Sequence, residues 1–222
     1  MVPLASLREQ IFSYLKDEIQ QGKLTPGAAI NIDVMSRELG ISKTPLKEAL
    51  IKLECEGFVK FVPRRGVQVK GLSRQELKDY YEIIGYLESG VVGAVFDRLR
   101  EPATVKQLKR SNSDQEKALQ REDYDRYYRL NLDFHDIFLK LSDNRTLHDM
   151  VVPLKQRLYD FPRKAYWREW EEVNLEEHRS FITAVESGDR AKAVAVVRDE
   201  HWGWQKHEPY FIKFYGFDGP AT

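Results

Sequence analysis

The sequence predicts a mainly α-helical protein: an N-terminal winged helix-turn-helix followed by an all-α antiparallel helical bundle. Three observations predict it. The first seventy residues read as three helices and then two short apolar strands; beyond Ser73 no strand pattern or internal repeat occurs; and apolar residues there recur at helical spacing. A length of 222 residues accommodates two domains, which the pattern divides at 1–71 and 72–222.

The elements follow in order. Ser6-Leu7-Arg8-Glu9 has capping-box spacing ahead of Leu7, Ile11, Leu15 and Ile19, and Gly22 ends that helix. Pro26-Gly27 marks a turn, and a second short helix ends at Gly40. Ser42 is placed to cap a third helix with Pro45 in its first turn, where a missing N–H is harmless. Its apolar stripe is Leu46, Ala49, Leu50 and Leu53, closed by Gly57. Residues 58–62 and 67–69 read as strands joined by Pro63-Arg64-Arg65-Gly66. A second capping box, Ser73 to Glu76, opens the bundle, whose six helices are expected near 74–99, 103–120, 123–142, 145–161, 170–187 and 190–206. Pro153 should kink the fourth and Pro162 end it, while Gly188-Asp189 separates the last two. Gly85, Gly90 and Gly93 suggest a helix crossing closely over the first. The aromatic tail from Pro209 to Phe217 should pack on something that the sequence does not name.

Composition excludes several classes. Apolar residues at 42% and charged residues at 32% suit a soluble protein with a core. The longest stretch free of Asp, Glu, Lys and Arg, Leu24 to Ile32, is far short of the ~20 residues of a membrane-spanning helix. Met1 to Gln10 lacks the pattern of a secretory signal, and the single Cys55 cannot form an internal disulfide, so a cytoplasmic protein is expected. Cys55 itself reads as a small buried or half-buried side chain rather than a redox sensor. Net charge is zero, but residues 1–70 carry 11 Lys+Arg against 8 Asp+Glu, and the remainder 24 against 27. The slight basic excess lies on the half that would meet phosphates.

Lys43 and Lys47 lie one turn apart opposite the apolar stripe, with Ser42 and Thr44 beside them. Such a face is either simply solvated or able to approach phosphates and base edges in a major groove. The short helix before it and the Arg64-Arg65-Gly66 tip after it favour the second reading. The run from Gly22 to Gly27, the run from Leu39 to Leu50, Leu53, Glu56-Gly57-Phe58-Val59 and Arg64-Arg65-Gly66-Val67 together resemble the DNA-binding domain of the GntR transcriptional regulators. The resemblance implies that Lys43 and Lys47 sit at the recognition positions, that Ser42 and Thr44 contact phosphate, and that Gly66 lets the wing tip enter the minor groove. The family usually has Arg where this chain has Lys43 and Lys47. A mobile point charge replaces a bidentate fork, so a different operator or weaker base discrimination is expected.

The histidines are His135, His148, His178, His201 and His207. Asn131 and His135, at i and i+4, share a helix face. Scattered helical histidines alone are usually surface or hydrogen-bonded core residues. However, Asn131-Leu132-Asp133-Phe134-His135, the run from Leu141 to Leu147, Glu177-His178-Arg179, Ala184-Val185, Gly188-Asp189, Ala193 and His201 resemble the FCD effector domain of the FadR-like subfamily. Six helices suit its shorter, VanR-like variant. The resemblance implies a divalent metal, zinc or nickel, held by Asn131, His135, His178 and His201, and a small carboxylic acid as effector. It also implies a homodimer on palindromic double-stranded operator DNA, acting as a repressor in the commoner mode, with no role at a membrane. One expected cation is missing: where the family has Arg four residues before the Glu matching Glu88, this chain has Ile84. Tyr81 and Arg157 are the candidates for effector contact in its place. Tyr124, Tyr127, Tyr128, Phe134 and Phe138 read as core and pocket wall; Tyr166, Trp167 and Trp170 are ambiguous. Two other readings stay open on the residues: a metal-dependent hydrolase, and a constitutive DNA-binding protein whose bundle only dimerises.

Overall fold

Helix α1 (Leu7–Gln20) starts where the capping box sets it: Ser6 Oγ accepts from the Glu9 N–H, and the Glu9 carboxylate accepts from the Ser6 N–H. The computed structural model describes residues 6–160 and 168–215. Ile11, Phe12, Leu15 and Ile19 are the buried face of α1, whereas Leu7, read as part of the stripe, is 50% exposed in the first turn. Strand β1 (Ala29–Ile30) precedes α2 (Ile32–Glu38), which is capped by Asn31 through bonds from Asp33 N and Val34 N. Helix α3 (Lys43–Cys55) buries Leu46, Ala49, Leu50 and Leu53 as its spacing requires. Ser42 stands at its N-cap in extended conformation but makes no side-chain cap bond, so its hydroxyl is left facing solvent. Cys55 is exposed at the end of α3, not buried.

Strands β2 (Val59–Val62) and β3 (Gly66–Val69) form the expected hairpin, with Val62 opposite Gly66. The sequence reading lacked a third strand: β1 pairs antiparallel with β3, giving the order β1-β3-β2. At the tip, Arg65 N–H donates to Val62 O at 3.0 Å. Pro63 occupies the position that favours proline, and Arg64 has φ of +63°, a conformation glycine usually takes. The strain holds a cation at the apex.

The chain divides into two compact units, one built mainly on the residues up to Ser73 and the other on those from Arg74 onward. The second unit is helical among the described residues. It contains α4 (Arg74–Ala94), α5 (Phe96–Leu99), α6 (Pro102–Gln120), α7 (Tyr124–Leu139), α8 (Arg145–Asp160) with Pro153 inside it, α9 (Arg168–Ser187) and α10 (Arg190–Ala195). The expected first helix is thus broken at Val95. Asp189 caps α10 by accepting from Lys192 N at 2.8 Å, after Gly188 at φ +77°. Pro162, Tyr166 and Trp167 lie outside the described residues.

Two departures from expectation shape the site. Helix α10 runs on into a π-helical turn, Val196–His201, and ends there rather than at 206. A further helix, α11 (Trp204–Tyr215), then follows, so the described residues of this unit form eight α-helices, α4 to α11, where six were expected. Despite Pro209 it is held by aromatic burial. Phe211 stacks on Trp204 at 5.3 Å and meets Tyr81 and Trp170 edge-on at 4.7 and 5.1 Å. Between the π turn and α11, a Cβ on Gly203 would sit 2.1 Å from Asp199 O. We expect Gly203→Ala to cost about 2–3 kcal/mol, since backbone must move to admit it. A thermal midpoint equal to the parent's would show that the turn relaxes freely. Of the three α4 glycines, Gly85 does allow a close crossing, its Cβ position lying 2.9 Å from Trp202 Cβ; Gly93 makes ordinary contact, and Gly90 faces open space.

Candidate metal centre and nucleic-acid interface

Helix α7 presents Asn131 and His135, α9 presents His178, and the π turn presents His201; all four are buried. A ligand nitrogen from each of the three histidines lies within 4.8 Å of the others. Their ring centroids are 4.8 to 5.4 Å apart. The π turn adds one residue to the helical register, which lets His201 face a neighbouring helix that regular α geometry would not serve.

Two buried carboxylates fix the imidazoles. Glu88, with no exposure, accepts from His135 Nδ1 at 2.7 Å, from Trp202 Nε1 at 2.8 Å and from Lys155 Nζ at 2.8 Å. Glu177 takes His201 Nδ1 at 3.0 Å and lies beside the Lys206 ammonium and His207. His207 is itself oriented, since Trp170 Nε1 donates to its Nδ1 at 2.7 Å while its Nε2 donates to Glu200 O at 2.9 Å. A carboxylate only accepts, so Nδ1 of His135 and of His201 donates, which leaves Nε2 as the ring nitrogen available to a metal. Carboxylate–histidine pairs of this kind typically orient metal ligands.

His178 differs. It stacks on Phe134 at 3.9 Å, and neither of its ring nitrogens has a hydrogen-bond partner; nor does Nε2 of His135. Burial, then the charges of His201, His135 and Lys155, hold the His178 pKa well below the ordinary value. Burial likewise lowers His135 to about 3, although Glu88 opposes it. Burial alone would raise the Glu88 carboxyl, but His135 and Lys155 outweigh it and hold that group well below the usual carboxylate range. At neutral pH, His135 and His178 are uncharged imidazoles with unmet lone pairs, the form that borderline divalent cations prefer. The residues present therefore fit a metal.

The two expected effector contacts lie on α4 and α8, and Tyr81 meets the His207 ring at 5.8 Å. Tyr81 sits in the aromatic cluster of Trp202, Trp204 and Phe211, and the Arg157 guanidinium lies 5.7 Å over the Tyr80 ring. The cation beside Glu88 is Lys155, 1% exposed, which sequence reading missed. Its signal was there: Val151, Lys155 and Leu158 form one buried stripe on α8, and a lysine in an apolar stripe needs a buried acid. Ile84, where the family has Arg, is fully buried.

In the first unit, Ser42, Lys43, Thr44 and Lys47 are exposed along the start of α3, and Arg64, Arg65 and Gly66 are exposed at the hairpin tip. Lys43 pairs with Asp33 of α2 at 2.8 Å. Both partners are largely solvated, so phosphate can displace the aspartate at little cost.

Residues 7–69 match the family described as bacterial regulatory proteins, gntR family, and residues 79–201 match the FCD domain. The chain is 28% identical over 187 residues to an uncharacterized HTH-type transcriptional regulator, YdhC, of Bacillus subtilis, covering 83% of each protein. It is 25% identical over 153 residues to the HTH-type transcriptional repressor RspR of Escherichia coli, covering 69% of this chain and 67% of that one. Against the gluconate operon transcriptional repressor of B. subtilis it is 25% identical over 207 residues, covering 84% and 79%. In fold it is similar to E. coli McbR/YncC, with a TM-score of 0.67 at 21% identity over 93% of this chain and 98% of that one. These relatives are regulators, not enzymes, and no described helix is long and apolar enough to cross a membrane. The chain belongs to the GntR family of transcriptional regulators and carries an FCD effector-binding domain.

Proposed function

We propose that this protein is a homodimeric, ligand-responsive repressor, with a DNA reader at 1–71 and an effector and dimerisation domain at 72–222. In this reading Asn131, His135, His178 and His201 hold one zinc or nickel ion, and a small carboxylic acid is the effector. The observation that carries it is the convergence of three buried imidazoles, two of them with ring nitrogens that meet no protein group. When bound, the cation supplies an open coordination position that attracts an anion. Glu88 and Glu177 keep the rings of His135 and His201 in the tautomer that turns Nε2 inward. Lys155 supplies from α8 the buried cation that Ile84 does not, and two of its three N–H groups remain for an acid's oxygen once Glu88 has taken one. Water is excluded by Phe134 stacked on His178 and by Phe138 and Trp202 against His135.

Control is a population shift. Effector binding biases the π turn and α4, which pack closely at Gly85 and Trp202, and α4 begins five residues after β3 ends. Two readers in a symmetric dimer call for a palindromic operator. On the DNA side, Lys43 and Lys47 meet base edges, Ser42 and Thr44 meet phosphates, and Arg64, Arg65 and Gly66 form the wing tip. The unused Ser42 hydroxyl supports that role, because it owes nothing to its own helix.

The test is selection of genomic fragments by the purified protein, followed by sequencing of what is retained. A few sites sharing a short palindrome are expected. For Lys43→Ala, affinity for a selected site should fall about tenfold, in line with a lost base contact of 1–3 kcal/mol. Sequence-indifferent retention that disappears with modest salt, or an unchanged Lys43→Ala titration, would end the operator reading.

A further inference from the structure

The buried face of α6 runs through Leu108, Asn112, Gln115 and Leu119, a spacing that keeps to one side of a helix. Two of the four are amides that the metal reading does not use. Gln115 has no exposure, and neither its Oε1 nor its Nε2 has a hydrogen-bond partner; Asn112 Oδ1 is also unmet. An unpaired buried amide group costs about 1–3 kcal/mol. A fully buried glutamine with both ends idle therefore calls for a partner that is not protein.

Helix register locates that partner. Leu119 packs in one apolar layer with Tyr127 of α7 and Leu175 of α9. Glu116 pairs with Arg179 at 2.9 Å and Lys109 with Glu186 at 2.6 Å, so α6 and α9 run antiparallel. The connection of 121–123 makes α6 and α7 antiparallel as well, with Ser111 Oγ 3.5 Å from Leu130 O. One turn from the apolar layer, Gln115 on α6 thus stands level with Asn131 on α7 and His178 on α9. Asn112 Nδ2 reaches the Leu175 carbonyl at 3.4 Å, which draws that amide towards the same level. By this register the idle amides fall at the level of the histidine cluster.

We propose that Gln115, assisted by Asn112, reads a hydroxyl group on the effector, so that the bundle prefers a small hydroxylated carboxylic acid to the plain aliphatic acid of the same length. The proposal rests on the metal and small-acid reading above and specifies its ligand. A hydroxyl both donates and accepts, which matches an amide that offers an oxygen and an N–H₂ group. An alkyl chain would leave both ends of Gln115 unmet. A second carboxylate suits the place poorly, because buried Glu171, bonded to Tyr128 and Asn174, lies two turns from His178 on the same helix.

The test uses zinc-loaded full-length protein and matched acids: lactate against propionate, malate against succinate, gluconate against hexanoate. Calorimetric titration should show the hydroxylated member of at least one pair binding about tenfold or more tightly. In Gln115→Leu that difference should shrink to within about twofold, through loss of the hydroxylated acid. Without ligand, Gln115→Leu should melt no lower than the parent, because it removes two unmet buried groups; a glutamine with a merely structural role would give a lower midpoint. Gln115→Met serves the same comparison if the leucine variant does not fold. Equal binding within every pair, or discrimination retained in the variant, overturns this inference and leaves the metal-site reading standing. If zinc stays bound but no acid binds the parent, the effector reading fails and this inference fails with it.

Discussion

Replacing His178 with phenylalanine is expected to abolish zinc binding while leaving the metal-free protein at least as stable as the parent. The two effects have opposite signs because the imidazole is useful only when a metal is present. Its nitrogens are buried and meet no protein group, so each contributes an unpaired polar atom to the metal-free fold, at about 1–3 kcal/mol apiece. A phenyl ring keeps the stack on Phe134 at nearly the same volume. Loss of one ligand of four should lower zinc, measured by elemental analysis after dialysis, from about one per chain to under about 0.1. The response to small acids should disappear with it, while selection of operator DNA by the reader domain should persist. Zinc retained at the parent level would show that His178 is not a ligand. A strongly lowered midpoint in the metal-free variant would show that its nitrogens are already satisfied.

What could be read from sequence here was what is local. The Ser6–Glu9 box, the buried stripe of α3 and the hairpin tip each depend on residues a few positions apart, and each formed as its spacing required. Strand β1 was missed because two residues, Ala29 and Ile30, carry no period and are strand only through pairing with Gln68 and Val67. Helix α11 was missed because the last expected helix ran through Gly203 to 206 and Pro209 opened the tail, while the burial that holds α11 comes from Tyr81 and Trp170 on distant helices. The histidines were legible as a set only through the family resemblance. That His201 arrives on a π turn, or that Glu88 binds His135, Lys155 and Trp202 together, depends on contacts between residues 47, 67 and 114 positions apart. Lys155 shows the limit best. Its place between Val151 and Leu158 is local and legible, but the acid it needs, Glu88, lies 67 positions away.

Glu88→Gln should be the most damaging single change in the bundle that leaves the four candidate ligands intact. The amide is the same size and can still accept from His135, so zinc affinity should fall only about 10- to 100-fold, as for other partners behind a metal-binding histidine. Stability should suffer more. Lys155 is 1% exposed and Glu88 is fully buried; without the carboxylate an ammonium is left uncompensated in the core, a loss of about 3–5 kcal/mol. Combining Glu88→Gln with Lys155→Met removes both charges, and the double variant should recover at least half of the single loss in urea unfolding. Additive losses would show that the two charges do not depend on each other. The same cluster sets the acid limit of the metal-free protein. His135, near 3 in the fold against 6.5 ordinarily, stays neutral while the unfolded chain takes up protons, so its stabilisation is complete above pH 6.5 and is lost as pH falls towards 3. At pH 5 that loss is about 2 kcal/mol. Glu88, whose folded pKa is depressed below 4.5, acts with the same sign at lower pH: its contribution is present above that value and fades below it. Thermal midpoints of the metal-free parent should therefore drop between pH 7 and pH 5, above the range in which Glu88 contributes. In Glu88→Gln the stability is already low at pH 7, and the further loss below pH 4.5 that belongs to this carboxylate should be absent.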